Sequence, residues 1–236
     1  MRSTALRNNG ILAFAAVWVI CAMGLSPALG HDTPNTTATW RTTVRQFALD
    51  HFHHPAWGFS HCVRDYQLAS QLAKEDKVPL DDDVLYAAAY LHDMAAFAPW
   101  DREKEGIDHA DEAARIVDTV LKGTGFPMEK IAAVRGAIKT HMFDRDPVGP
   151  EAKYLHDADA LDWLGAVGVA RIIALVDPNG GDPDGPKAVK MLTDNLATVP
   201  QRVLSPSGRQ LAKTRAAELQ RFLDELRRET EGLSTL

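Results

Sequence analysis

Apolar positions recur at helical spacing along most of the chain from Trp40 onward. No stretch of weight shows the two-residue alternation of a half-buried strand. The pattern predicts a first helix over 42–52. A second is expected over 58–76, where Phe59, Cys62, Val63, Tyr66, Ala69, Leu72 and Ala73 share one stripe. After Pro79, the run Asp81, Asp82, Asp83 is an acidic helix start suited to the positive end of the dipole, and that helix is expected to reach about Met94. Residues 95–106 (AAFAPWDREKEG) have no period and read as a loop of the kind that covers a site. Asp108 then caps a helix to about Lys122, and a turn follows at 123–127. Further helices are expected over 128–142 and, as one long apolar-rich segment, over 151–176. Residues 178–185 (PNGGDPDG) read as a loop and 186–196 as a helix. A closing helix over 209–229 carries Leu211, Leu219, Phe222, Leu223 and Leu226 on its buried stripe. With no internal repeat, the predicted fold class is all-α, a compact helical bundle without significant sheet.

The amino-terminal segment breaks this pattern. Arg2 and Arg7 precede an uncharged apolar stretch over 11–25, and Ala28-Leu29-Gly30 puts small residues where a signal peptidase acts. A signal peptide over 1–30 is therefore expected, cut after Gly30. The stretch is shorter than the roughly 20 residues of a membrane span, so the expected product is exported, periplasmic or secreted, with no stable membrane insertion. The polar residues 31–39 read as a linker and 40–236 as one domain. A hydrophobic content of 45% supplies a full core. The formal charge is −6, and the first thirty residues hold two arginines and no acid, so the remainder is more acidic still. The lack of a long basic run argues against a nucleic acid polymer or an anionic membrane as partner, but leaves a small anionic substrate open. Beyond Gly30 the sole cysteine is Cys62, which excludes an internal disulfide and a thiolate cluster. Any metal must be held by imidazoles and carboxylates.

Several of the nine histidines fall on apolar stripes. His141 follows Ile131, Val134 and Ile138 at helical steps. His109 heads a stripe with Ala113, Ile116, Val117 and Val120. His61 stands one turn before Asp65, His92 one turn after Ala88 and Ala89, and Asp159 four residues after Leu155. A lone inward histidine is ordinarily a hydrogen-bonded core residue, and a His-Asp pair, of which the chain has three, occurs by chance. Several inward histidines and aspartates on separate helices are a different matter. They are costly to bury unless paired or bound to a cation, and helical bundles build metal sites this way.

The order His61, then His92-Asp93, then Asp159 resembles the H…HD…D signature of the HD superfamily of metal-dependent phosphohydrolases. Residues 61–64 (HCVR) resemble its H-x-x-R. Residues 86–93 (YAAAYLHD) resemble its small-apolar run into L-H-D. Residues 157–171 (DADALDWLGAVGVAR) are similar to the D-A-D-x-L-D-x-x-G-x-x-G-x-A-R block of one bacterial branch, as Leu211 to Arg215 with Phe222-Leu223 are to its last helix. The resemblance spans about 40–230 and implies metal ligands at His61, His92, Asp93 and Asp159, with Asp93 also the catalytic carboxylate. Asp157 is placed in the shell behind the ligands. His109 and His141 match histidines that some branches use for a second metal; hydrogen-bonded supports or phosphate contacts are the alternative. Arg64, one turn after His61, suits either a phosphate oxygen or an ion pair.

Three departures stand out. Ala160 replaces the branch's usual arginine, Asp65 stands where an apolar residue is usual, and the loop after Asp93 lacks the usual nearby lysine. Lys104, with Asp101, Glu103 and Glu105, is the later candidate for phosphate or acid–base roles. The resemblance implies one divalent ion (Mn, Fe, Ni or Mg), with room for two. Water activated at that ion would cleave a phosphate ester or anhydride of a small molecule such as a nucleotide. The alternatives are a binding protein of the same fold that has lost turnover, and a di-iron oxygenase.

Overall fold

The computed structural model describes residues 39–176 and 185–233. The expected signal peptide, most of the linker and nearly all of the 178–185 loop lie outside the described residues. Among those described the regular structure is entirely helical. The helices are α1 (Trp40–His51), α2 (Phe59–Glu75), α3 (Asp82–Leu91), α4 (His109–Ile116), α5 (Asp118–Leu121), α6 (Ile131–Lys139), α7 (Pro150–Leu161), α8 (Gly165–Val176), α9 (Gly185–Arg202) and α10 (Pro206–Glu229). None of them is long and apolar enough to cross a membrane.

The central helices are α2, α3 and α7. α2 packs on α7 and α3, α3 on α6, and α4 on α6, while α10 closes over α8 and α9. In α3 every residue from Val84 to Leu91 is buried, as expected of a helix that is apolar all round. Its amino end is held by polar groups instead. The Asp81 carboxylate accepts from the N–H groups of Asp83 and Val84. Arg41 bridges Asp82 and Asp83 at 2.7 Å each, and Lys130 bridges Asp81 and Asp83 at 2.8 Å each.

The structure corrects the expected boundaries at three places that matter for the site. α3 stops at Leu91, so His92 is its cap and Asp93 lies beyond it at φ −96°, ψ 10°. α6 stops at Lys139, so His141 follows the helix rather than riding its stripe, though it is fully buried. The segment expected as one helix over 151–176 is two, α7 and α8, joined through Asp162–Leu164. Gly165 turns the chain at φ +64°, a conformation that favours glycine. Gly168 then sits so close that an added Cβ would lie 2.3 Å from the Trp163 carbonyl oxygen.

Candidate metal centre

Four helices and the segment after a fifth direct side chains to one buried point. α2 presents His61 and, one turn on, Asp65. The end of α3 presents His92 and Asp93, and α7 presents Asp159. His109 opens α4, and His141 follows α6. The early end of α3 explains how adjacent residues share the point. Neighbours on a helix diverge by roughly 100°, and leaving the helix at His92 lets Asp93 turn back toward its neighbour. His92 Nε2 lies 3.3 Å from Asp93 Oδ2.

The imidazole Nε2 atoms of His61 and His92 face each other at 3.3 Å. His61 Nε2 is also 3.1 Å from Asp65 Oδ2, 3.4 Å from Asp159 Oδ1 and 3.7 Å from Asp93 Oδ2. The opposite ring nitrogens assign the protons. His61 Nδ1 donates to Asp162 Oδ2 at 2.9 Å, His92 Nδ1 to the Ala89 carbonyl at 2.9 Å, and His141 Nδ1 to the Ile138 carbonyl at 2.6 Å. In the neutral rings each Nε2 is then a lone pair aimed at the centre. Both oxygens of Asp65 and Nε2 of His141 are buried without a hydrogen-bond partner. Lone pairs and carboxylates crowded together, several of them orphaned, fit a cation and fit little else. His61, Asp65, His92 and Asp159 each offer an atom within 4.8 Å of the others, and so do His92, Asp93 and His141.

Electrostatics within the protein point the same way. Burial opposes charge on His61, yet Asp65 first, and then the bonds to Asp159 and Asp162, push its imidazole up to about 10. Burial raises Asp65 well above the carboxylate range. Asp93 lies well below that range despite burial, held down by His92, His109 and His141. Burial keeps His92 low. The cluster thus demands a positive charge at its middle, whether proton or metal ion.

Asp93 faces two ways. Its Oδ2 meets His61 and His92, while its Oδ1 lies 3.4 Å from His109 Nε2 and 3.7 Å from His141 Nε2. Asp93, Asp159 and His109 also line a cavity of about 340 Å³, walled by Trp57, Trp163, Met142 and Phe143 and edged by Asp101, Glu103 and Asp108.

Three expected site residues sit elsewhere. Asp157 is two residues from Asp159, roughly 200° round the helix. Its oxygens accept from the N–H groups of Leu204 (2.9 Å) and Ser205 (2.6 Å), so it anchors the α9–α10 junction rather than the ligands. Arg64 forks onto Asp162, Nε to Oδ1 at 2.8 Å and Nη2 to Oδ2 at 2.7 Å; its ion-pair alternative is the one realised. Lys104 is exposed on a short 3₁₀ turn whose Glu103, not Lys104, lines the cavity. Two residues that sequence reasoning passed over take up the vacated roles. Asp162 holds His61 and is itself gripped by Arg64 and Arg171; against burial, the bonds from His61 and then Arg64, with the charge of Arg171, keep its carboxyl far below the usual range. Arg171, buried, reaches the cavity with its guanidinium 3.7 Å over the Trp163 ring. Both lie in the 157–171 block, and Asp162 is one turn after Asp159, which was the available signal.

An all-helical bundle with this His and Asp centre has the architecture of an HD domain. The model of the HD domain family matches residues 58–164, which contain His61 through Asp162. Among solved structures, a predicted HD superfamily hydrolase from an uncultured Thermotogales bacterium is 27% identical, with 80% of this chain and 90% of that one covered at a TM-score of 0.57. Bacillus subtilis YpgQ in complex with ADP is 22% identical, with 82% and 100% covered at a TM-score of 0.62. An HD-superfamily hydrolase from Bacillus thuringiensis is 23% identical, with 73% and 86% covered at 0.55. No curated protein matches the chain. The chain therefore has the HD superfamily hydrolase fold, with a buried His and Asp cluster able to hold a metal.

Proposed function

We propose that this protein is a metal-dependent phosphohydrolase acting on a small phosphorylated molecule, with a nucleotide as the first candidate. The observation that carries the reading is the convergence of His61, His92, Asp93 and Asp159 at the edge of the cavity. These residues would hold a divalent ion, which supplies Lewis acidity toward a phosphoryl oxygen and toward water. The protein's own groups have separate tasks. Asp162 fixes the tautomer and direction of His61, and Ala89 does the same for His92 through its carbonyl. Arg171 brings a guanidinium to the cavity, and His109 brings an imidazole beside Asp93; both suit phosphate oxygens. Trp57, Trp163 and Phe143 suit a flat ring, and the acidic edge of Asp101, Glu103 and Asp108 suits its N–H donors. The ADP held by the Bacillus subtilis structure of the same fold supports nucleotides as the first class to try.

The test is a panel of phosphate esters and nucleotides with Mn²⁺, Mg²⁺, Ni²⁺ and Fe²⁺. Turnover that needs the metal and disappears in His92→Ala is expected. Chelator-resistant turnover, or none in any pairing, would overturn the reading, and ligand binding without product would leave a binding protein. The two-sided placement of Asp93 favours a second reading, a dinuclear centre completed by His109 and His141. Protein purified anaerobically and found to hold one metal per chain would end that reading, and with it a di-iron oxygenase.

A further inference from the structure

We infer that Asp65 is an additional ligand of this centre, so that three carboxylates rather than two surround the cation. The inference rests on the metal-site reading above but not on turnover. Position 65 carries a carboxylate with 0% exposure, on the same face of α2 as His61. Its Oδ2 is 3.1 Å from His61 Nε2 and 3.7 Å from His92 Nε2, the two atoms already assigned as lone pairs. Neither oxygen has a hydrogen-bond partner. Among the described residues no lysine or arginine pairs with it. Arg64 and Arg171, the guanidiniums nearest in the sequence blocks, are both committed to Asp162.

Among the described residues, His61 Nε2 at 3.1 Å is the one basic group beside Asp65 within 3.5 Å, and a buried carboxylate so thinly compensated costs several kcal/mol. A proton on Asp65 would relieve one of its oxygens only, and a proton on His61 Nε2 would serve Asp65 Oδ2 at 3.1 Å or His92 Nε2 at 3.3 Å but leave Asp65 Oδ1 without a partner. One cation relieves all of these groups together. The added carboxylate makes the ligand set more anionic and richer in oxygen, which favours a hard ion such as Mn²⁺.

The experiment measures Mn²⁺ binding to the full chain by competition with a chelating dye, and thermal unfolding of the metal-free forms. Asp65→Asn and Asp65→Val are expected to bind Mn²⁺ at least about tenfold more weakly than wild type. Thermal unfolding checks that their metal-free forms remain folded, so that weaker binding reports the lost carboxylate ligand. Affinity equal to wild type in either folded variant would overturn the inference while leaving the hydrolase reading standing. Wild type that binds no Mn²⁺ would overturn both. Should neither variant fold, a crystal structure of Mn²⁺-loaded wild type decides. An Asp65 oxygen about 2.0–2.3 Å from the ion supports the inference, and one beyond about 3 Å overturns it.

Discussion

Asp157 and Asp159 show how much a side chain's role depends on direction alone. They are chemically identical and two residues apart, yet one faces the candidate metal centre and the other caps a junction between helices. Asp157 is fully buried and accepts two backbone N–H groups, Leu204 and Ser205. Its removal in Asp157→Ala should destabilise the protein by roughly 1–3 kcal/mol for each N–H left unsatisfied. A lower urea midpoint at unchanged m-value would show it. The pH dependence has a definite sign. Burial works to raise the Asp157 carboxyl, but the bonds from His156, Ser205 and Leu204 outweigh it and hold it below its ordinary value. The unfolded chain therefore takes up the proton first, and the contribution is complete above the ordinary carboxylate value of about 3.9. It is lost as pH falls through the lower folded value. The stability gap between wild type and Asp157→Ala should be constant near neutrality and narrow in acid. A gap that widened in acid would contradict the assigned bonds.

At the scale of elements, the site depends on where helices stop. α3 ends at Leu91, and the departure of His92 and Asp93 from helical geometry is what brings neighbouring side chains to one centre. The break between α7 and α8 frees Asp162 to grip His61, Arg64 and Arg171, and sets Trp163 beneath the Arg171 guanidinium. That break tolerates no side chain at Gly168, where a Cβ would meet the Trp163 carbonyl carbon at 2.4 Å and its oxygen at 2.3 Å. Because backbone must shift, Gly168→Ala should lose about 1–3 kcal/mol or more. Thermal unfolding checks the loss, and near-ultraviolet circular dichroism checks the displaced tryptophan. An unchanged melting temperature would mean that the α7–α8 turn is looser than the distances imply.

At the scale of the whole molecule, the centre lies where α2, α3 and α7 meet, inside a core with no disulfide among the described residues. Cys62 is free and buried. A cation bound there ties together segments more than ninety residues apart in sequence and neutralises their mutual repulsion. Removing it with a chelator should lower the melting temperature, and Mn²⁺ should restore it. Metal at a hundred times its Kd contributes about 2.7 kcal/mol. Scanning calorimetry of the stripped and reloaded protein measures this without reference to any substrate. A melting temperature indifferent to metal would speak against a bound cation.

Much of this was legible in the residues themselves. Apolar spacing marked the helices and the acidic start of α3 marked its cap, because local periodicity and residue type carry these without any partner, and the resemblance of the order His61, His92-Asp93 and Asp159 to the HD signature marked the candidate site. The beginning of α10 was legible too and passed over: Ser205 caps it and Pro206 fills its first position. Tertiary structure alone decided the rest. Periodicity says that a face is buried but not what covers it, so it could not tell that Asp65 would meet two imidazoles. Nor could it tell that Arg64 would be taken by Asp162 from a helix junction 98 residues on, or that Asp157 would look away from the centre. Those outcomes depend on which helices pack together, and contacts between distant segments leave no local mark on the sequence of either.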